Sequence, residues 1–452
     1  MKNIFKLLAF LPLLTACDDL FEPALENNRD LEAMYKEPSY AQGILANAYI
    51  ILPYETSPTS DLATDDAVTN EISSNYLRMA TGSWTANNNP VSQWQNRFNA
   101  IQYINLFLEN VDKVEWAKDE RISTMFLDRL KGEAYGLRAL HMYYLLRAHG
   151  GKIADGTLMG VPIILKSEGP DADFNHARAT YSDCVKQIME DADKAIELLP
   201  LDYKKFADSE IPEKYKNIGV TNASDYRRVC GEEYRGLMSG RIALAVRAQT
   251  ALLAASPAFQ SGSGMTWEQA ADYAAEIIEK ANGGGGCGLD ADGLEWYTLA
   301  DKDYGTGGSP AEVIWRSSTD DNNTLETANF PPSLYGNGRV NPTQNLVDAF
   351  PMANGYPISE TSGNYDAENP YDNRDPRLAK YIVYNGSKQG PSDTEIITGT
   401  YGTNTDVVNK AEGLLVQVIT CGNYCVKSVT LIHSIIQRRS IIPHVSVIQR
   451  CF

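Results

Sequence analysis

The stretch ISTMFLDRLKGEAYGLRALHMYYLLRAH, residues 122–149, decides the fold class. Leu130, Ala134, Leu137, Leu140, Tyr144 and Leu145 recur at three- and four-residue spacing, which lines one face of an α-helix. The spacing predicts a helix from near Ile122 to His149. Working outward, the same periodicity returns on both sides. Trp94, Phe98, Ile101, Ile104, Leu108 and Val111 predict an amphipathic helix upstream. Val185, Ile188, Ala192, Ala195, Ile196 and Leu199 predict another over Tyr181–Leu199, stopped by Pro200, which cannot extend it. Gly236–Ala255 is dense in alanine (Ala243, Ala245, Ala248, Ala251, Ala254, Ala255), and such small residues let two helices approach closely. Ser256-Pro257 closes that segment, and Trp267–Ala281 supplies a partner through Ala270, Ala271, Ala274 and Ile277.

Paired helices with alanine-rich seams and a proline at the turn resemble tetratricopeptide units, although the period of roughly 34 residues is not regular here. The expected fold is therefore mostly α. Tetratricopeptide-like helix pairs fill residues 31–282, and a loop-rich, irregular capping region with short strands fills residues 283–413. The polar, Tyr- and Lys-rich segment Leu201–Gly231 reads as a loop, as does Gly307–Lys380 with its Pro, Gly, Asn and Asp. Asn282–Gly288 holds four consecutive glycines, but no GK[ST] follows, so a helix end and loop fit better than a phosphate loop.

Composition narrows the function. The 452 residues are 43% hydrophobic and 22% charged, enough to build a core and too apolar for global disorder. The formal charge is −18, from 58 Asp and Glu against 40 Lys and Arg, which repels phosphate backbones and argues against nucleic-acid partners. Tyr is abundant, at 25 residues, and suits half-wet binding surfaces.

The N-terminus has the layout of a signal peptide over residues 1–16: Lys2 and Lys6, an apolar stretch from Leu7 to Leu14, then small residues. It ends Leu14-Thr15-Ala16-Cys17, which resembles the lipobox of bacterial lipoproteins. That resemblance implies cleavage before Cys17, acylation of Cys17, and a lipidated tether over residues 17–30. Several acyl chains anchor firmly, since each buried CH₂ contributes about 0.8 kcal/mol. Asp18 and Asp19 resemble a surface-export signal of some Gram-negative lipoproteins.

The C-terminus departs from the rest. Leu414–Phe452 contains no Asp or Glu, yet carries Cys421, Cys425 and Cys451 with Lys427, Arg438, Arg439 and Arg450. It lacks clean helical or strand periodicity and reads as an off-family tail, frameshifted or misjoined. Cys421-x3-Cys425 with His433 imitates half a zinc site, but no second pair is well placed, so no metal is expected. Nothing in the chain requires a cofactor.

Several motifs in order carry a family resemblance. Gly132-Glu133-Ala134-Tyr135, Arg138-Ala139 and Tyr143 come first, followed by Gly150-Gly151 and Gly160-Val161-Pro162-Ile163. Arg178-Ala179-Thr180 and Gly240-Arg241-Ile242-Ala243 come next, then Pro342-Thr343-Gln344-Asn345-Leu346-Val347-Asp348-Ala349-Phe350 and Arg374-Asp375-Pro376-Arg377-Leu378. The chain from Cys17 to about Gly413 resembles the SusD/RagB family of outer-membrane nutrient-binding lipoproteins. The resemblance implies a non-catalytic protein on the cell exterior that captures oligosaccharide and covers a TonB-dependent, SusC-like transporter.

Most motif residues have structural explanations. Glu133 and Arg138 are expected to pair with neighbouring helix ends, Gly150 and Gly151 to supply positive φ, and Asp375-Pro376-Arg377 to build a turn. Trp94 and Trp315 are expected in the core. The ligand surface is expected elsewhere. Sugar rings present apolar C–H faces edged by hydroxyls, so a binder needs exposed aromatic planes beside amides or arginine. Trp84 with Asn87 and Asn88 provides that grouping, with Arg78 and Tyr76 close by. The family resemblance points to the same loop. A second contribution is expected from Phe330, Tyr335 and Asn337. The structural alternative is that Trp84 plugs the helical array and the asparagines merely form turns.

The competing function class is a secreted glycoside hydrolase, which needs two carboxylates at fixed separation. No nucleophile elbow and no HExxH occur, and His141 and His149 lie within the long helix, so no catalytic residue is assigned.

Overall fold

The computed structural model describes residues 31–53, 60–85, 87–281, 314–315, 324–390, 392–398, 406–408 and 416–417. The signal peptide, Cys17, the glycine run and all of the tail except Val416–Gln417 lie outside the described residues.

The body is a serial array of helices. α1 (Pro38–Ile50), α2 (Asn75–Ala80), α3 (Trp94–Asn110), α4 (Glu120–His149), α5 (Tyr181–Leu198), α6 (Ala223–Cys230), α7 (Gly240–Ala255) and α8 (Trp267–Ala281) follow in order. The main packing is serial: α1 on α3, α3 on α4, α4 on α5, α5 on α7 and α7 on α8. These packed helices bury their apolar stripes against one another, the stacking logic of helical repeats, whereas α2 buries no residue. Side chains set the helix starts. Asp119, Thr180, Asn222 and Ser239 each accept a backbone N–H at the first turn of α4, α5, α6 and α7. The five helices expected from periodicity are all present, with α7 starting at Gly240 rather than Gly236.

α4 is the spine. At 1.5 Å per residue it runs about 45 Å, and most of its length is buried. A Cβ at Gly132 would lie 2.6 Å from Leu199 Cγ, and one at Gly136 would lie 2.6 Å from Met238 Cγ. These glycines therefore allow neighbouring segments to close onto the helix. Glu133 and Arg138 pair inside the array, not with helix ends. Arg138 lays Nε and Nη2 along Asp191 of α5 at 2.7 and 2.8 Å, and Nη1 donates to Asn105 of α3 at 2.9 Å. Glu133 accepts from the Tyr49 hydroxyl at 2.6 Å and faces Arg129 at 3.6 Å. Burial pushes the Glu133 carboxyl above its ordinary range, while Arg129 and Tyr49 pull the other way.

Three further expectations are corrected. Neither Gly150, at φ −72°, nor Gly151 is left-handed. Gly150 is required sterically instead, since a Cβ there would sit 2.6 Å from the Leu146 carbonyl. Trp94 is 43% exposed, with its ring edge-on to Phe98 and His149. Its place in the first turn of α3 leaves it outside the helix stack. Within the polar segment Leu201–Gly231, α6 folds with Phe206, Ile211, Tyr215 and Val220 against Ile122 and Met125 as a second, smaller core. So short a helix gives little periodicity to read. Trp315 is half-buried, as its indole N–H donates to the Gly236 carbonyl at 2.8 Å.

The capping region carries α9 (Thr324–Asn329), α10 (Gln344–Ala349) and α11 (Pro376–Tyr381). Strands are short: β1 (Ala67–Thr69), β2 (Gly151–Lys152), β3 (Leu158–Met159), β4 (Val340–Pro342), β5 (Lys388–Gln389), β6 (Thr394–Glu395), β7 (Val407–Val408) and β8 (Val416–Gln417). They pair antiparallel as β1 with β4, β2 with β3, β5 with β6 and β7 with β8. Two motifs of the sequence form one joint here. Arg374 donates through Nη2 to the Val347 and Phe350 carbonyls, both at 2.7 Å, closing the C-terminal end of α10. Asp375 accepts from the Arg377 backbone at 2.8 Å and starts α11, so this segment begins a helix rather than only a turn.

Candidate ligand-binding site

The pairing of β1 with β4 governs this site. Its register sets Ala67 opposite Pro342, Val68 opposite Asn341 and Thr69 opposite Val340. The segment leading to Trp84 and the loop carrying Tyr335 thereby meet, although about 250 residues separate the two rings in sequence. Asn70, fully buried, completes the joint. Its Nδ2 donates to the Asn337 carbonyl and its Oδ1 accepts from Arg339 Nη1, both at 3.1 Å. Thr343, which starts α10, accepts a backbone N–H there, and its own N–H donates to the Asp66 carbonyl at 2.8 Å.

Trp84 lies in the turn between α2 and α3 and is 46% exposed. The turn is fixed by backbone bonds. Ser83 N–H donates to the Arg78 carbonyl at 2.8 Å, Gly82 adopts φ +72°, and Asn88 N–H donates to the Thr85 carbonyl at 2.9 Å. Arg78 and Asn87 are exposed, Asn88 and Tyr76 are half-buried. Trp84 therefore does not plug the array, and its ring is open to solvent.

The second loop is also rigid. Phe330 is half-buried, and its carbonyl accepts from Gly338 N–H at 3.0 Å. Gly336 crosses over that carbonyl so closely that a Cβ would lie 2.0 Å from it. Leu334 and Gly336 both donate to the Pro331 carbonyl. Out of this knot Tyr335 projects, 95% exposed, with φ +66°. The left-handed region costs a residue with a Cβ roughly 1–2 kcal/mol. Asn337 uses Nδ2 to hold the Thr327 carbonyl at 2.9 Å.

The structure thus places Arg78, Trp84, Asn87 and Asn88 on one segment and Phe330, Tyr335 and Asn337 on another, and residues 66–70, ahead of the first, are bonded to residues 337–343, at the end of the second. Asn70 and Arg339, which create the joint, were not legible as functional residues, since neither lies in a periodic or aromatic pattern. Two exposed rings on rigid backbone, with amides and a guanidinium nearby, can stack on the C–H faces of sugars and bond their hydroxyls. A hydrolase would need a carboxyl kept protonated beside an ionised partner at an open cleft. Glu133, which burial holds protonated more readily, is sealed inside the helical array. Among the described residues no group of His, Cys, Asp and Glu is placed to hold a metal ion, and no helix is long and apolar enough to cross a membrane.

A family model described as starch-binding, associating with the outer membrane, matches residues 25–214, and a model of the SusD family matches residues 311–438. The second match runs into the segment that composition sets apart. Between them the two cover more than half of the chain. No curated protein matches the chain in sequence. Among solved structures, a SusD-like protein from Bacteroides fragilis superposes with a TM-score of 0.57 at 18% identity, over 80% of this chain and 63% of that one. A SusD-like carbohydrate binding protein from Bacteroides fragilis gives 0.55 at 20% identity, over 80% and 62%. A SusD superfamily protein from Parabacteroides distasonis gives 0.51 at 16% identity, over 82% and 66%. This chain spans less than two thirds of the length of each. At such identities the likeness is one of fold.

Proposed function

The chain belongs to the SusD/RagB family, and from that premise we propose that it is a non-catalytic, glycan-binding lipoprotein of the outer membrane. It captures oligosaccharide outside the cell and delivers it to a TonB-dependent, SusC-like transporter, held to the membrane by acyl chains on Cys17. The observation that carries the reading is the exposure of Trp84 and Tyr335 on two segments that the pairing of β1 with β4 ties together. The description of the matching family, starch-binding and associating with the outer membrane, supports both the ligand class and the location. The likeness to a carbohydrate binding protein from Bacteroides fragilis supports the ligand class.

The test is Trp84→Ala in the full chain, with folding followed by circular dichroism and binding by calorimetry against a panel of neutral oligosaccharides. Loss of one stacked ring is expected to cost on the order of 1 kcal/mol or more. A folded variant that keeps its affinity would remove Trp84 from the site. Accumulation of reducing ends from any glycan that binds would replace the binder by the hydrolase. For the anchor, Cys17→Ala should abolish fatty-acid labelling and release the protein from the membrane fraction, and unchanged labelling would refute it.

A further inference from the structure

We propose that a second site, a cleft in the helical array, binds a carboxylate-bearing saccharide. The saccharide part of this assignment rests on the glycan-binding reading above, and the anionic part rests on the cleft alone. The cleft has a volume of about 520 Å³, with walls from α3, α4, α5 and the segment that precedes α5. Clefts of that size accommodate small organic ligands.

Its charge runs against the rest of the molecule. In a chain of net charge −18, the lining includes Lys166, Lys194 and Arg138, with Glu109 as the acid among them; Asp191 pairs with Arg138, so the surplus is that of the two lysines over Glu109. Both oxygens of Glu109 are occupied, one by the Ser167 N–H at 2.8 Å and one by the Ser167 hydroxyl at 2.5 Å. Lys194 holds its ammonium 4.9 Å over the Tyr135 ring, and the Arg138 guanidinium lies 5.5 Å from the same ring. Lys166 and Lys194 are exposed, whereas Arg138 is 5% exposed. A guanidinium carries about five N–H donors, and Arg138 directs bonds to Asp191 and Asn105 through Nε, Nη1 and Nη2. Arg138 is thus held in place by its buried pair, and the ammonium groups of Lys166 and Lys194 are the cations exposed to a ligand. A carboxylate offers such ammonium groups charge-assisted hydrogen bonds.

The wall is preorganised. Asn105 Nδ2 donates to the Ile164 and Lys166 carbonyls at 2.9 and 3.1 Å, and Gln102 bonds both the N–H and the carbonyl of Glu168 at 2.9 Å. Leu165, 43% exposed, gives an apolar surface beside the cations. A fixed cationic cleft with one apolar wall suits a sugar ring that bears a carboxylate, which presents a C–H face and a negative charge together.

The experiment titrates the full chain with trigalacturonate and, separately, with maltotriose, by calorimetry at low and high sodium chloride. Trigalacturonate is expected to bind, to weaken with salt, and to lose about tenfold in affinity in Lys166→Ala and in Lys194→Ala, the scale of one charge-assisted bond. Both lysines are exposed, so the variants keep their fold, which circular dichroism verifies. The proposal is overturned if trigalacturonate does not bind, or if it binds both lysine variants as tightly as the parent chain. It is also overturned if maltotriose competes equally for the cleft, or if trigalacturonate binding is insensitive to salt. Neutral-glycan binding that responds only to Trp84→Ala would leave the first reading standing while this one fails.

Discussion

Asn70 and Asn337 lie 267 residues apart in sequence and are joined by a 3.1 Å hydrogen bond from the Asn70 side chain to the Asn337 carbonyl. The acceptor end of the same amide takes Arg339. One buried side chain thus fixes the loop of Tyr335 relative to the segment that leads to Trp84. If the two rings bind one ligand as proposed, their relative placement matters, and this amide would act on affinity from outside the ligand surface.

Asn70→Ala leaves the Arg339 donor and the Asn337 carbonyl without this partner, which is expected to cost about 1–3 kcal/mol in denaturant unfolding. Glycan affinity is expected to fall as well. If stability drops while affinity holds, the joint does not set the separation of the rings.

The Tyr335 loop yields two variants of opposite character. Tyr335→Asn keeps a residue that tolerates the left-handed region and removes the ring, so stability should hold or rise slightly while affinity falls. Gly336→Ala drives a Cβ into the Phe330 carbonyl and should open the loop to limited proteolysis as well as weaken binding. Equal protease resistance in Gly336→Ala and the parent chain would contradict that packing.

Asp191→Ala strands the Arg138 guanidinium inside the array. Removing one partner of a buried pair typically costs about 3–5 kcal/mol, which a shift in the unfolding midpoint would register. The double change Arg138→Met with Asp191→Leu should recover much of that loss, since no charge is then left buried.

His141 supplies a pH dependence. Burial, followed by the neighbouring Arg97 charge, lowers its pKa from 6.5 to about 3. Between those values the unfolded chain takes up a proton that the folded chain refuses. Stability from this residue is therefore complete above about pH 6.5 and is lost as pH falls toward 3, by up to about 1.4 kcal/mol per unit. Glu133 acts in the opposite sense, because burial makes the folded chain the better proton binder there. Comparing unfolding free energies of the parent and His141→Gln from pH 7 to 5 isolates the imidazole: the variant should show a shallower slope. Parallel slopes would mean that His141 does not stay neutral in the fold.

The helical body was legible because Leu130 to Leu145, and the corresponding rows in α3, α5, α7 and α8, repeat often enough for periodicity to stand out. α6 was hidden by its brevity. Glu133 and Arg138 were recognised as motif residues, but their partners Tyr49 and Asp191 belong to other helices, and a single sequence carries no signal of such contacts. The same holds at the candidate site. Trp84 and Tyr335 could be singled out as aromatic residues in turn-rich surroundings, whereas Asn70, whose importance is entirely in what it joins, reads as one more asparagine.

The pairing of β1 with β4 also imposes an order of assembly. A chain is synthesised from its N-terminus, and contacts between distant segments close late because they must draw in the intervening loop. The helices of residues 31–281 can pack on one another as they emerge. β1, made near the beginning, must wait through α3 to α8 for Val340–Pro342 before its partner strand exists. The proposed ligand surface is thus among the last features to be completed. A chain interrupted before residue 337 would retain a helical body able to resist proteases and would still lack a binding face.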